Sequence, residues 1–267
     1  MLDHITPVVL TYNEAPNIAR LLEKLEWARD VVVVDSYSSD ETLSIVKGFP
    51  NCRVVQRKFD VHCNQLNFAL AEGGITSPWV LALSADFIPT DDLITEMAAL
   101  EPADTVGAYR IGFSFHIFGK PLRASVYPAQ VVLFRHQGAR YVADGHTEHV
   151  SVDGAVLALK GHIVHDDRKP VSRWLAAQDG YMRLETEKLL GPDPVPLELA
   201  DRIRKLKVLA PFLVLLYCLF AKRLILDGLP GIFYAFQRAA SEMILSVYLM
   251  DHALRERGKG RNDTNLQ

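Results

Sequence analysis

The sequence predicts an α/β fold built on an open, mostly parallel sheet, and three observations predict it. Over the first hundred residues short apolar runs alternate with helix-patterned segments at roughly 25-residue intervals, the order of strand, crossover helix and parallel strand. One run, Val31 to Asp35, is almost wholly β-branched, as a strand covered on both faces requires. Three runs end in polar residues, at Thr11-Tyr12-Asn13-Glu14, at Asp35-Ser36-Tyr37-Ser38-Ser39-Asp40 and at Ser84-Ala85-Asp86. Open sheets bind ligands beyond these carboxyl ends of their strands.

Ile5 to Thr11 reads as the first strand, followed by a helix from Pro16 to Leu25 that Pro16 is suited to start. After the second strand, Ser39-Asp40-Glu41 offers a helix cap and an acidic first turn. Arg53 to Gln56 is a short strand, Asn64 to Glu72 a helix and Trp79 to Ser84 a further strand. Thr90-Asp91-Asp92 caps a helix running to Leu100. Gly107 to Phe118 and Gln130 to Arg135 are longer strands, Tyr141 to Val152 is loop-rich, and Ala155 to Leu159 is the last strand.

From Pro170 the pattern turns helical, with Trp174, Leu175, Gln178, Tyr181, Met182 and Leu189 near helical spacing, and 191–196 (GPDPVP) breaks it. Val208 to Ala221 follows, 14 residues without a charge, bracketed by Arg204, Lys205 and Lys207 before and Lys222 and Arg223 after. Spanning hydrocarbon takes about 20 apolar residues, so this run is either a core helix or a segment lying in a membrane interface. The flanking cations favour the interface. Gly231 to Arg257 is amphipathic, with Ile232, Phe236, Ala239, Met243, Val247 and Leu254 on one stripe. The division expected is 1–168 for the α/β domain, 169–257 for the helical region and 258–267 for a disordered tail.

Composition narrows the function. The chain of 267 residues is 49% apolar and 23% charged with net charge −3, which gives no reason to expect nucleic acid as a partner. Cys52, Cys63 and Cys218 are far apart, so neither a zinc site nor a disulfide framework is expected. The first residues lack the basic and apolar regions of a secretory signal, and the expected location is cytoplasmic. No GxGxxG follows the first strand and no GxxxxGK[ST] occurs, so dinucleotide and P-loop readings fail. Strand-end Asp and Asn also serve as plain turn residues, but three converging on one sheet edge point to a ligand.

VVLTYNE, VVVVDSYSSDET and WVLALSADF, at these distances, resemble family 2 glycosyltransferases with the nucleotide-diphospho-sugar (GT-A) fold. DGHTEHV, GHIVHDDRK and the basic-flanked apolar C-terminal part resemble the bacterial branch that makes lipopolysaccharide core and exopolysaccharide. The resemblance implies an inverting transfer from a UDP- or GDP-sugar to a saccharide or lipid-linked acceptor in cell-surface polysaccharide synthesis. The enzyme would sit at the inner face of the cell membrane, its C-terminal helices on the membrane surface. Thr11, Glu14 and Asp35 would hold the base and ribose, and Asp86 would be the remaining acid of the family's DxD element, whose first acid is here Ser84. Asp86 would hold a magnesium or manganese ion at the diphosphate, with His165 completing the shell.

The general base would come from Asp144-Gly145-His146-Thr147-Glu148, where Asp144 and Glu148 both qualify and the Asp-Gly context leans to Asp144. Arg168, with Lys169, would hold the diphosphate, or belongs to a solvated loop leading into the helix at Pro170. Gln65 would touch the nucleotide or only serve its helix face. Two rivals differ in chemistry: transfer to polyprenyl phosphate, which needs no strong base, and a sugar-nucleotide-binding protein without turnover.

Overall fold

The computed structural model describes residues 1–145, 147–191 and 199–264, with side chains through 257. Two units emerge. The first comprises Met1–Pro121, Val126–Ala143 and Thr147–Lys169; the second comprises Leu122–Ser125, Asp144–His146 and Pro170–Gln267.

The first unit is an α/β sheet. Its strands are β1 (Ile5–Thr11), β2 (Val31–Asp35), β3 (Cys52–Gln56), β4 (Trp79–Ser84), β5 (Phe87–Pro89), β6 (Val106–Ile117), β7 (Lys120–Pro121), β8 (Gln130–Arg135), β9 (Arg140–Asp144), β10 (Thr147–Ser151) and β11 (Ala155–His165). The main sheet runs β3-β2-β1-β4-β8-β6-β11-β5, with β7 paired to β6, and β9 and β10 form a separate pair. β3, β2, β1 and β4 are parallel; β8 lies antiparallel between β4 and β6, and β11 runs parallel to β6.

Strand alternation explains the burial. Val9, Val31, Val33, Leu81 and Leu83 pack on one face with Leu21, Leu22 and Leu25, whereas Val8, Val32, Val34, Val80 and Ala82 pack on the other with Leu66 and Ala69. Both faces of β2 are therefore dry, which is why its sequence shows no alternation. The crossover helices are α1 (Ile18–Glu23), α2 (Thr42–Val46), α3 (His62–Glu72) and α4 (Asp91–Ala98). Thr90 caps α4, accepting from the Leu93 amide at 3.3 Å, and Asp91 and Asp92 sit in its first turn.

Two expectations are corrected and one short strand is added. Tyr141 to Val152 is not loop-rich but largely the β9–β10 pair. Residues 87–89 form a strand, β5, which pairs antiparallel with Ile163–His165. The last strand does not stop at Leu159; β11 continues to His165, drawing the predicted polar cluster into the sheet because β6 and β5 supply partners on both sides. His146 and 192–198, which include most of the predicted break, lie outside the described residues.

The second unit contains α5 (Val171–Leu190), α6 (Leu199–Arg204), α7 (Ala210–Leu216) with a π-helical continuation over Tyr217–Ala221, and α8 (Leu229–Thr264). α5 and α8 pack through Met182, Leu189, Leu245 and Leu249. Arg204 joins Glu185 at 2.6 Å, Asp201 at 3.3 Å and Glu242 at 3.3 Å in a mostly buried ion network. α8 runs as far as Thr264 into the polar stretch predicted as a tail, and 265–267 lie outside the described residues.

Candidate active site

The parallel pairing of β1 with β2 sets Thr11 beside Asp35 at the carboxyl edge of the sheet. Asp35 is fully buried and its carboxylate is saturated. It accepts from Thr11 Oγ1 at 3.2 Å, Ser38 N at 3.0 Å, Ser38 Oγ at 2.5 Å and Gln56 Nε2 at 3.0 Å. Asn13, at φ 54°, accepts from the Ser39 amide at 2.7 Å, while its own amide donates to Ser38 Oγ at 2.8 Å. Asp35 and Asn13 thus lace the two strand-end loops together. Tyr12 and Tyr37 project from these loops, 47% and 57% exposed. Gln65 is buried behind them, donating to Ser36 Oγ at 2.7 Å and accepting from Arg57 at 2.8 Å.

Asp86 stands in the two-residue step from β4 to β5, where the chain leaves one strand and returns beside β11. That step brings its carboxylate to His165 Nε2 at 3.1 Å, and Ser84 keeps its place in the ladder opposite Leu10. Burial alone would raise the Asp86 carboxyl, but the charges of His165 and Lys169 outweigh it and hold it well below the usual carboxylate range. The His165 ring sits among Phe87, Phe115 and Tyr127, at centroid distances of 4.8, 4.3 and 5.3 Å, which fixes its plane. Its Nδ1 is buried without a hydrogen-bond partner.

Glu14 is buried, bonded to Lys169 and to Asn17 Nδ2 at 2.8 Å. Burial, reinforced by the charge of Asp86, pushes its carboxyl up to about 7 despite Lys169. Lys169 in turn resists burial because Asp86, Glu14 and Asp167 surround it, which pushes its pKa up. Arg168 is turned to Asp166, bonding through Nε at 2.9 Å, and Arg20 reaches the same carboxylate at 2.8 Å. Both cations expected at the diphosphate are therefore engaged with carboxylates of their own unit.

The two base candidates differ sharply. Asp144 ends β9, groups with the helical unit and pairs with Lys188 at 2.9 Å. Glu148, on β10, is largely buried, and that burial pushes its carboxyl up to about 7. Half-buried His62 Nδ1 lies 3.9 Å away, but burial pulls the imidazole pKa down, so no strong countercharge offsets the effect on Glu148.

Sequence reasoning did not pick out His62, Asn17, Arg20 and Asp166 as site residues. Arg20 and Asn17 meet Asp166 and Asp167 across some 150 residues of chain, so no local pattern marks them. A cavity of about 420 Å³ lined by His4, Trp79 and Arg135 lies at the opposite, amino-terminal end of the strands, away from all of these groups.

Among the described residues no group of three or more His, Cys, Asp and Glu gathers as a closed metal site. Asp86 and His165 nevertheless suit a shared one: a hard carboxylate with an imidazole nitrogen, Nε2, facing it at 3.1 Å. A magnesium or manganese ion commonly takes one or two protein ligands and completes its shell with phosphate and water oxygens.

The mixed, mostly parallel sheet, with its polar strand ends gathered at one edge, matches the GT-A fold. Residues 7–126, somewhat under half of the chain, match the family model described as Glycosyl transferase family 2. No curated protein matches the chain. Among solved structures, S. aureus TarS 1–349 in complex with UDP-GlcNAc is 15% identical, aligned over 93% of this chain and 92% of that one, with a TM-score of 0.46. Glucosyl-3-phosphoglycerate synthase from Mycobacterium tuberculosis, in complex with Mn2+, UDP and glucosyl-3-phosphoglycerate, is 14% identical over 72% of this chain and 81% of that one, with a TM-score of 0.45. Neither likeness assigns a role to a residue here.

Proposed function

We propose that the chain transfers a sugar, with inversion, from a UDP- or GDP-sugar to a saccharide or lipid-linked acceptor of bacterial cell-surface polysaccharide or lipopolysaccharide. The observation that carries this reading is the pairing, in one α/β unit, of a metal-type couple (Asp86–His165) with a carboxyl poised to exchange a proton near neutrality (Glu148). Asp86 and His165 would hold magnesium or manganese, whose charge, when bound, offsets that of the departing nucleoside diphosphate.

Glu148 is the general base in this proposal. It takes the acceptor hydroxyl proton as that oxygen bonds to the anomeric carbon and the bond to the diphosphate breaks. Thr11, Glu14 and Asp35 shape the base and ribose pocket, with Asp35 acting through the loop it ties together rather than through a free oxygen. Gln65 acts likewise through Ser36, and Arg168 meets the diphosphate by exchanging part of its bond to Asp166. Asp144, already paired with Lys188, has no part in the proton transfer of this proposal. Among the described residues no helix is long and apolar enough to cross a membrane, and the proposed location is peripheral, on the cytoplasmic membrane face.

The test is incubation with a panel of UDP- and GDP-sugars and Mn2+, with and without membrane extract. Nucleoside diphosphate release and sugar transfer are expected. Binding of a nucleotide sugar with neither hydrolysis nor transfer would sink the reading in favour of a binding protein.

A further inference from the structure

Within the helical unit, α7 and its π-helical continuation bury one side and leave the other bare. Ala210, Pro211 and Cys218 turn inward. Leu209, Phe212, Leu213, Leu216, Tyr217 and Phe220 turn outward at three- and four-residue steps, each between 44% and 60% exposed. A contiguous apolar face of this kind marks an interaction surface on a soluble chain.

The charges around the face point to its partner. Lys205 and Lys207 precede it, Lys222 and Arg223 follow it, and no Asp or Glu occurs from 206 to 226. Arg204, by contrast, is committed to Glu185, Asp201 and Glu242. Lys222 Nζ lies 5.6 Å from the Tyr217 ring centre, an amphipathic pair of the sort found where one end is apolar and the other wet. A second copy seated on this face would bring two sets of cations together, which like-charge repulsion opposes. An anionic phospholipid surface meets both features at once: acyl chains for the apolar side chains, phosphates for the cations.

We propose that the 209–220 face lies flat in the interfacial layer of an anionic bilayer, its helix axis in the membrane plane, with Lys205, Lys207, Lys222 and Arg223 among the headgroups. A spanning arrangement fails, because the twelve residues of 210–221 extend only about 18 Å against roughly 30 Å of hydrocarbon. The inward side is also already packed within its own unit. The inference rests on the peripheral-membrane reading above and specifies which face makes the contact and with which lipid charge.

The experiment is co-sedimentation of the full chain with vesicles of phosphatidylcholine alone and of phosphatidylcholine with about one third phosphatidylglycerol. Binding to the anionic vesicles is expected to exceed binding to neutral ones by about tenfold or more, and to weaken as salt rises from about 0.05 to 0.5 M. The combined Phe212→Ser, Leu216→Ser and Phe220→Ser variant should lose about tenfold in affinity while keeping the parent's circular dichroism and melting point. Phe220→Trp alone should give fluorescence quenched by brominated lipid, a readout independent of the triple variant. Binding that survives the triple substitution with no quenching at 220 overturns the face and leaves the membrane reading standing. Binding to neither vesicle overturns both. A dimer in light scattering that the same substitutions disperse, without vesicle binding, assigns the face to a second copy instead.

Discussion

At the scale of single residues, two carboxyls four positions apart differ in their surroundings. Glu148 is largely buried with no strong cation beside it, which pushes its carboxyl up to about 7, whereas Asp144 is held by Lys188 at 2.9 Å. A base must be free to take a proton and must lie near the operating pH to do so efficiently. Glu148→Gln is expected to lower the turnover rate by about 10²- to 10⁴-fold without weakening donor binding, and Asp144→Asn to leave it within a few-fold. Steady-state kinetics with a fixed acceptor decide between them, and the reverse ranking would move the base to Asp144. The parent's rate should climb as pH rises through about 7, because only ionised Glu148 accepts the proton, and Glu148→Asp should retain a limb of this kind. Asp86 carries a separate prediction. Asp86→Ala removes the carboxylate that His165 faces, so Mn2+-dependent donor binding in calorimetry should vanish while the fold persists. Undiminished metal-dependent binding would rule out the role given to Asp86.

At the scale of elements, β1, β2 and β4 were readable because their largely apolar, buried runs end abruptly in polar turns. Burial on both faces makes Val31 to Val34 conspicuous in any sequence. β11 was half-legible: Lys160, Gly161 and His162 interrupt its apolar pattern, and what holds it as a strand is β6 on one side and the three-residue β5 on the other. Likewise the β9–β10 pair buries only Tyr141 and otherwise alternates exposed and half-buried residues, too weak a hydrophobic signal to mark two strands. The candidate site shows the same limit. Asp35 and Asp86 sit at or just past strand ends and could be found, but the ties of Asn17 and Arg20 to Asp166 and Asp167 exist only once the segment after β11 meets the start of α1. Gly161 shows why β11 needs its interruption. A Cβ there would stand 2.5 Å from Leu93 Cα, on the backbone of α4, while the Gly161 amide donates to Glu96 at 2.7 Å. Gly161→Ala should force strand and helix apart and cost about 1–3 kcal/mol, read as a lowered denaturant midpoint. An unchanged midpoint would mean that α4 rides more loosely on the sheet than its packing implies.

At the scale of the whole molecule, the base role proposed for Glu148 implies a cost in stability that pH should expose. Its carboxyl ionises near 4.5 in the unfolded chain and near 7 in the folded one. Below about 4.5 both states hold the proton, and above it the unfolded chain sheds the proton while the folded one keeps it. This contribution to stability therefore falls as pH rises across that window and levels off beyond about 7. Asp86 works in the opposite sense, its depressed pKa favouring the folded state above the unfolded value of 3.8, but its contribution is already complete by about pH 5. His62, lowered by burial, favours the folded state as pH rises through its unfolded value of 6.5 and so partly masks the loss from Glu148. The clean readout is the difference between Glu148→Gln and its parent, in which the terms from Asp86 and His62 largely cancel. The glutamine never ionises, so the variant should gain on the parent from pH 5 to pH 8, by on the order of 1–3 kcal/mol in urea unfolding. The same substitution should then stabilise the protein at pH 8 and nearly abolish its turnover there, as expected where a working group is held against its own solvation. A variant no more stable than its parent at pH 8 would show that Glu148 is solvated in the folded state and ionises at its ordinary value.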